Sequence, residues 1–293
     1  MHAATIPSVS PLIETKPGGE AAFARNYERA PFSLRHNLAG HEAFSMPNLF
    51  RLVRRMAEKP EHLYYNVGDP AIGSGWDFQP GRPFPAEEAF ERIETANAWM
   101  ILKSVQVEPE YNEILEQFFR EAYALSGRDL ERETFNHLFA IIISSPRRVT
   151  PYHMDGESNY LLQVRGNKTI YVFNGSDRAV VTDEELEKFW CGDLNAATYK
   201  EKYQDQTPHF DLTPGDGVHV PVTYPHWVKN GDSASVSLGL TVQFRDRTLP
   251  ELYRFNGSLR RRGLKPRPPG QSRLADMAKL TAMRLGHRSA ISR

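Results

Sequence analysis

The chain has a single cysteine, Cys191, among 293 residues. An intrachain disulfide is therefore excluded, and a lone thiol suits a reducing compartment. No stretch approaches the roughly 18 consecutive apolar residues that a membrane-spanning helix needs. The opening segment, MHAATIPSVSPLIETKPGGE, lacks an apolar core of the signal-peptide kind. The expectation is a soluble, cytoplasmic protein with no membrane attachment. Net charge is lacking too, because 36 Lys and Arg balance 36 Asp and Glu. That balance is not local. Residues 254–293 hold eleven of the basic side chains and one acid, Asp276, which leaves 25 basic against 35 acidic in the first 253 residues. The body is acidic and the tail basic. There is no internal repeat, and no low-complexity block outside the termini, which excludes a repeat architecture.

What is present is ordinary globular composition, 40% hydrophobic and 25% charged, in a chain long enough to bury a sizeable core. Residues 1–30 are rich in Pro, Gly and small polar types and read as a loose arm. Residues 31–253 read as one domain, and 254–293 as a basic tail with a short helix. Leu49, Phe50, Val53 and Met56 have helical spacing. HLYYNVGD (62–69) reads as a strand, 73–85 as a Gly/Pro loop, Glu87–Ala98 as an acidic helix and WMILKSVQV (99–107) as a strand. Pro109 suits the start of a helix that buries Ile114, Leu115, Phe118, Phe119 and Ala122 and ends near Gly127.

Beyond that point the chain changes character. Segments 138–145, 159–166, 168–174, 218–222, 225–230 and 235–244 are short, β-branched or aromatic, and bounded by turn residues. Gly166-Asn167 reads as a two-residue hairpin turn. A helical insertion at 182–206 opens on a capping box, Thr182 with Glu185. The fold class expected is mainly β with a helical N-terminal part, closing as a small barrel or two-sheet jelly roll.

The densest chemistry lies in TPYHMDGESNYLLQVRGNK (150–168). His153 and Asp155 sit at i and i+2, which in a strand places both side chains on one face, about 7 Å apart. An imidazole and a carboxylate so placed can share a metal ion. A histidine from a later strand would complete a two-His, one-carboxylate face with open positions. His226, in YPHWVKN, is the preferred third ligand, with His219 as its rival. A second triplet, His209-Phe210-Asp211, runs into the turn LTPGDG with no strand to hold it. Lys168 opens a strand and could offset a buried carboxylate, to which Thr150 could donate its hydroxyl. Equally, Lys168 could be a solvated strand-end lysine and Thr150 a turn residue. Trp76, Trp190 and Trp227 could line a groove or could simply pack.

TPYHMDGESNYLLQVRGNKTIYVF, LTPGDGVHVPVTYPHWVKN and LTVQF together resemble the JmjC and cupin-like Fe(II)/2-oxoglutarate oxygenases. The nearest resemblance is to the subgroup that contains the asparaginyl hydroxylase of hypoxia-inducible factor. The likeness spans residues 138–246, and its signature is Thr three places before the His, Asn six after it and Lys fifteen after it. It implies a double-stranded β-helix with flanking helices, with His153, Asp155 and His226 as iron ligands. It further implies that Lys168 and Thr150 hold the distal carboxylate of 2-oxoglutarate, that Asn159 lines the co-substrate pocket, and that Leu161 and Val228 form apolar walls. Gln243 stands where the subgroup has an asparagine. Tyr64 and Tyr65 are candidates for an upstream tyrosine. Fe(II), 2-oxoglutarate and O2 would then support hydroxylation or demethylation of an unidentified protein or small-molecule substrate. The alternatives are a metal-dependent cupin enzyme that does not use 2-oxoglutarate, or a non-catalytic binding module whose basic tail contacts nucleic acid. Leu274, Met277, Ala278, Thr281 and Leu285 could form an amphipathic helix that docks on the body or makes a homodimer.

Overall fold

The computed structural model describes residues 10–15, 19–59, 61–75 and 81–291, with side chains described as far as residue 283. Trp76, expected at a groove, lies outside them, as does part of the 73–85 loop. In chain order the elements are β1 (Ile13–Glu14), α1 (Gly19–Asn26), β2 (Phe32–His36), α2 (Met46–Ala57), β3 (Leu63–Val67), α3 (Ala86–Glu91), β4 (Ala98–Leu102), α4 (Pro109–Ser126), α5 (Leu130–Glu133), β5 (Thr134–Ser144), β6 (Val149–His153), β7 (Ser158–Arg165), β8 (Lys168–Val172), α6 (Asp183–Trp190), β9 (His209–Leu212), β10 (Asp216–Val220), β11 (His226–Asn230), β12 (Ser235–Phe244), α7 (Thr248–Arg260) and α8 (Arg273–Ile291).

From β5 onward the chain passes back and forth between two antiparallel sheets, with β8 and β9 consecutive in one of them. The larger has the order β1-β2-β10-β7-β12-β5-β4-β3 and the smaller β6-β11-β8-β9. Strands 5, 12, 7 and 10 face strands 6, 11, 8 and 9, which is the topology of a double-stranded β-helix. The first four strands of the chain extend the larger sheet at its two ends.

Period-two patterning makes the larger sheet two-sided. Along β12, Val236, Leu238, Leu240 and Val242 join the main apolar core, and along β7 so do Tyr160, Leu162 and Val164. That core lies beneath α1, α2 and α4, whose Phe23, Leu49 and Phe118 are buried in it. Each such side chain contributes about 1.5–3 kcal/mol by leaving water. The intervening residues Asn159, Leu161, Gly239 and Thr241 face the space between the sheets. A smaller core of Leu161, Ile170, Val172, Val218, Val220 and Val228 closes part of that space.

The expectations hold for α2, for α4 with its five named core residues, for β12, and for the capping box of Thr182 and Glu185. Five readings need correction. Residues 19–30 are not a loose arm, because Phe23 and Tyr27 are buried and anchor α1 to the core. The helix expected over 87–98 stops at Glu91, and the strand expected over 99–107 stops at Leu102. Gly166-Asn167 is not a hairpin, since β7 and β8 belong to different sheets and the dipeptide turns the chain from one to the other. Finally, α8 is long, and its Leu274 and Met277 are 81% and 64% exposed. Leu274 and Met277 therefore do not dock on the body, and Leu285 of the same stripe lies outside the described side chains. Among the described residues no helix is long and apolar enough to cross a membrane.

The corner at Gly166 requires glycine twice over. Its φ is +68°, and a Cβ there would stand 2.4 Å from the carbonyl oxygen of Ala234. Gly166→Ala is expected to lower stability by about 1–3 kcal/mol. Gly40→Ala, where nothing lies within 4 Å, should shift it by under ~0.5 kcal/mol. Denaturant melts of the two variants check this, and equal midpoints would refute it.

Candidate metal centre

Strand register builds the site. His153 closes β6, His226 opens β11, and the two are direct antiparallel partners. Their rings lie 4.2 Å apart, tilted by 54°. Asp155 departs from expectation: it lies beyond the end of β6, in the connection to β7. There its backbone carbonyl accepts the Thr223 N–H at 2.9 Å, and its carboxylate accepts from Asn159 Nδ2 at 3.1 Å. Its Oδ2 is 3.7 Å from His226 Nε2. One ligand atom from each of the three residues falls within 4.8 Å of the others.

Both imidazoles are oriented in the same way. His153 Nδ1 is 2.7 Å from the Pro151 carbonyl oxygen, and His226 Nδ1 is 3.1 Å from that of Tyr224. Donation from each Nδ1–H to a backbone carbonyl two residues upstream leaves the Nε2 lone pair for a metal. Burial pushes His226 down to about 4, reinforced by the neighbouring His153, so its ring is neutral. Burial opposes ionisation of Asp155, but the two imidazoles and the Asn159 hydrogen bond outweigh it and hold the carboxyl below its ordinary range. Two imidazole nitrogens and a carboxylate make a donor set suited to a divalent transition metal.

These residues sit on the wall of a cavity of about 210 Å³ that also receives Thr150, Asn159, Leu161, Lys168 and Val228. Lys168 is 5% exposed. Burial alone pushes its ammonium down to about 7, with no carboxylate paired to it among the described residues. Asn159 Oδ1 is likewise buried without a hydrogen-bond partner. The cavity thus offers a buried cation and an unused acceptor beside the three ligands.

The rival residues are elsewhere. His219 is fully buried and meets Glu28 at 3.0 Å and Ser158 at 3.2 Å, as a core histidine. His209 and Asp211 do lie on a strand, contrary to expectation, but β9 is the far edge of the smaller sheet. Neither tyrosine candidate reaches the cavity, because β4 lies between β3 and β5 and supplies Trp99 and Ile101 instead. Tyr65 donates to the Phe84 carbonyl. Gln243 acts only at second hand, donating to Glu157 Oε1 at 2.8 Å. Glu157 lines the cavity and escaped sequence reasoning. Its one signal was an acid two places beyond Asp155 in the same turn. Trp227 packs, stacked on Tyr171 at 4.3 Å.

No protein-family model and no curated protein sequence matches the chain. Solved structures do. An X-ray structure of E. coli YcfD superposes with a TM-score of 0.54 at 18% identity, covering 94% of this chain and 68% of that one. A second crystal structure, of the E. coli ribosomal oxygenase YcfD, gives 0.49 at 16%, over 94% and 67%. The non-haem α-ketoglutarate-dependent carbocyclase SnoK of nogalamycin biosynthesis gives 0.47 at 13%, over 80% and 87%. The likeness to YcfD is one of fold. The chain spans about two thirds of the length of YcfD.

Lys168 makes the fold's stability pH-sensitive. Its folded pKa, about 7, lies below the ordinary lysine value of 10.5, so between those limits the unfolded state binds more protons. Stability therefore rises with pH across that window. The destabilisation is full below pH ~7 and relieved toward pH ~10. Lys168→Met should be more stable than wild type at pH 6.5, with the gap narrowing by pH 9.5 in denaturant titrations. A pH-independent gap would contradict the burial of a charged lysine.

Proposed function

We propose that the protein is an Fe(II)- and 2-oxoglutarate-dependent oxygenase that hydroxylates a C–H bond of a protein side chain or small molecule. One observation carries this reading: three metal-ligand atoms within 4.8 Å of one another share a cavity with a buried, unpaired lysine. A cupin enzyme that binds metal without an anionic co-substrate has no need of that lysine, since burying an ammonium alone is costly. The residue pattern of Thr150, Asn159 and Lys168 further supports a relationship to the asparaginyl-hydroxylase subgroup, and Gln243, held on Glu157 at the rim, is the departure from it.

When bound, Fe(II) with 2-oxoglutarate and O2 supplies C–H oxidation with release of succinate and CO2. The protein's part is positioning and the exclusion of water. His153, Asp155 and His226 would hold the metal, with each imidazole keeping its proton on Nδ1 against a backbone carbonyl. Lys168 and the Thr150 hydroxyl would bind the distal carboxylate of the co-substrate. Leu161 and Val228 would exclude water around its methylene carbons. Asn159 fixes the Asp155 carboxylate through Nδ2 and keeps Oδ1 free toward the cavity.

Asp155→Ala is expected to abolish both metal binding, read by calorimetric titration with Mn(II), and 2-oxoglutarate turnover, read as succinate release. Lys168→Ala should spare metal binding and raise the 2-oxoglutarate requirement about 10- to 100-fold, from ~1.5–3 kcal/mol for a charge-assisted hydrogen bond. Normal succinate release by Asp155→Ala would refute the proposal.

The basic tail favours an internal role over nucleic acid. Arg260, at the end of α7, pairs with Glu187 at 2.6 Å and Glu184 at 2.8 Å on α6, so the body's own acids take up part of its charge. The exposed Leu274 and Met277 of α8 support docking of a second copy of the chain. Light scattering should then report twice the mass of one chain, reduced to one by Leu274→Glu with Met277→Glu. A single-chain mass in the wild type at all concentrations would exclude the dimer.

A further inference from the structure

A second cavity, of about 480 Å³, adjoins the metal cavity and shares Trp99 and Ile101 with it as a common wall. Strand β6 divides the two. Thr150 and His153 line the metal-centre cavity, whereas Val149 and Pro151, with Arg148 just before the strand, line the second space. Its far sides come from Tyr64 and Asn66 on β3 and from residues 192–195, which follow α6 in the helical insertion.

Arg148 has no evident structural need for its charge. It is 3% exposed. One guanidinium nitrogen, Nη2, donates to Asn66 Oδ1 at 2.6 Å, and the backbone carbonyl accepts the Asn230 N–H at 3.0 Å. Nε and Nη1 are buried without a hydrogen-bond partner. A neutral amide could serve Asn66 equally well at far lower desolvation cost. Burial lowers the guanidinium to about 10, only partly offset by Asp69 and Tyr64, and among the described residues no carboxylate forms an ion pair with it. Among the described residues the one acid on the cavity wall, Asp193, is exposed and already accepts the Asn195 N–H at 2.9 Å. Lys103 adds a second cation to the same wall. Buried guanidinium groups are ordinarily matched to carboxylate or phosphate, and here that match is missing.

We infer that this cavity is the substrate-recognition site, and that it binds a carboxylate of the molecule to be oxidised through Arg148, with Lys103 assisting. The inference rests on the oxygenase reading for what becomes of that molecule, but not for the binding itself. A carboxylate at Arg148 would hold the remainder of a substrate across the Trp99–Ile101 wall, toward the metal ligands. The expected substrate is an acidic residue of a peptide, or a small organic acid.

The test titrates the full chain with N-acetyl-L-glutamic acid α-amide, with its neutral isostere N-acetyl-L-glutamine amide, and with glutarate. Binding is followed through the Arg148 Nε–H resonance in ¹⁵N spectra, assigned by its loss in Arg148→Lys. The acid should bind at least tenfold more tightly than the amide and shift that resonance. Its affinity should fall at least tenfold in Arg148→Gln, and in Arg148→Lys if the former does not fold. It should be unchanged in Lys168→Met. Preference for the blocked amino acid indicates a peptide substrate, and preference for glutarate a small acid. Equal binding of acid and amide would overturn the inference, as would an affinity lost in Lys168→Met and kept in Arg148→Gln. Succinate release is assayed in parallel. Turnover without carboxylate binding sinks this inference alone, whereas carboxylate binding without turnover sinks the oxygenase reading alone.

Discussion

The antiparallel pairing of His153 with His226 is the constraint on which the site depends. Side chains alternate faces along a strand, so a slip of one residue in the β6–β11 register would send one imidazole outside the barrel. The ladder between β8 and β11 fixes the same register from the other side, setting Val228 opposite Ile170 and Asn230 opposite Lys168. Asn230 in turn is tied through its side chain to the Ser144 hydroxyl and the Ser145 carbonyl. One short strand therefore positions a candidate metal ligand, an apolar wall and the neighbour of the buried lysine. It is held in place from both neighbouring strands of its own sheet and from the end of β5.

The chemistry sits where the fold is least comfortable. The helix-facing side of the larger sheet is largely apolar core, and its buried His219 and Ser158 are hydrogen-bonded to each other. The barrel interior breaks that consistency with a lysine, three candidate metal ligands and an asparagine around one small cavity. Such conflicts between local environment and residue type are expected at functional sites, where stability is given up for binding. Lys168 is the clearest case. Its burial disfavours the charged form, and an anionic ligand would remove the conflict.

The fold was legible wherever periodicity reported burial. β12 and α4 could be read because one face of each enters the main core, and α6 because Thr182 and Glu185 form a local cap that needs no tertiary information. Errors arose where the deciding contact was distant. Gly166-Asn167 has hairpin chemistry, yet what crowds it is the Ala234 carbonyl just before β12, the strand paired with β7, and the dipeptide links two sheets. Composition marked residues 1–30 as loose, but Phe23 and Tyr27 bury α1 and the residue that follows it in the core. In the site, His153, Asp155 and His226 could be found from sequence, although Asp155 reaches the cluster from a turn rather than a strand. Glu157 could not be found, since its relevance comes only from facing the cavity and holding Gln243.

Arg148 carries the same logic outside the metal cavity. Its neighbour Arg147 adopts φ of +56°, which is unfavourable for a side-chain-bearing residue, and its N–H is held by the Gly231 carbonyl at 2.8 Å. The strain at Arg147 delivers the chain into β6 with Arg148 turned toward the gap between the two sheets. Two residues later Thr150 faces the metal cavity. The segment Arg147–His153 thus joins a strained corner, a buried guanidinium, a hydroxyl and a metal ligand within seven residues. A local rearrangement at Arg147 would shift the Arg148 cavity and the metal ligand together, so the two cavities are mechanically linked through β6 as well as adjacent in space.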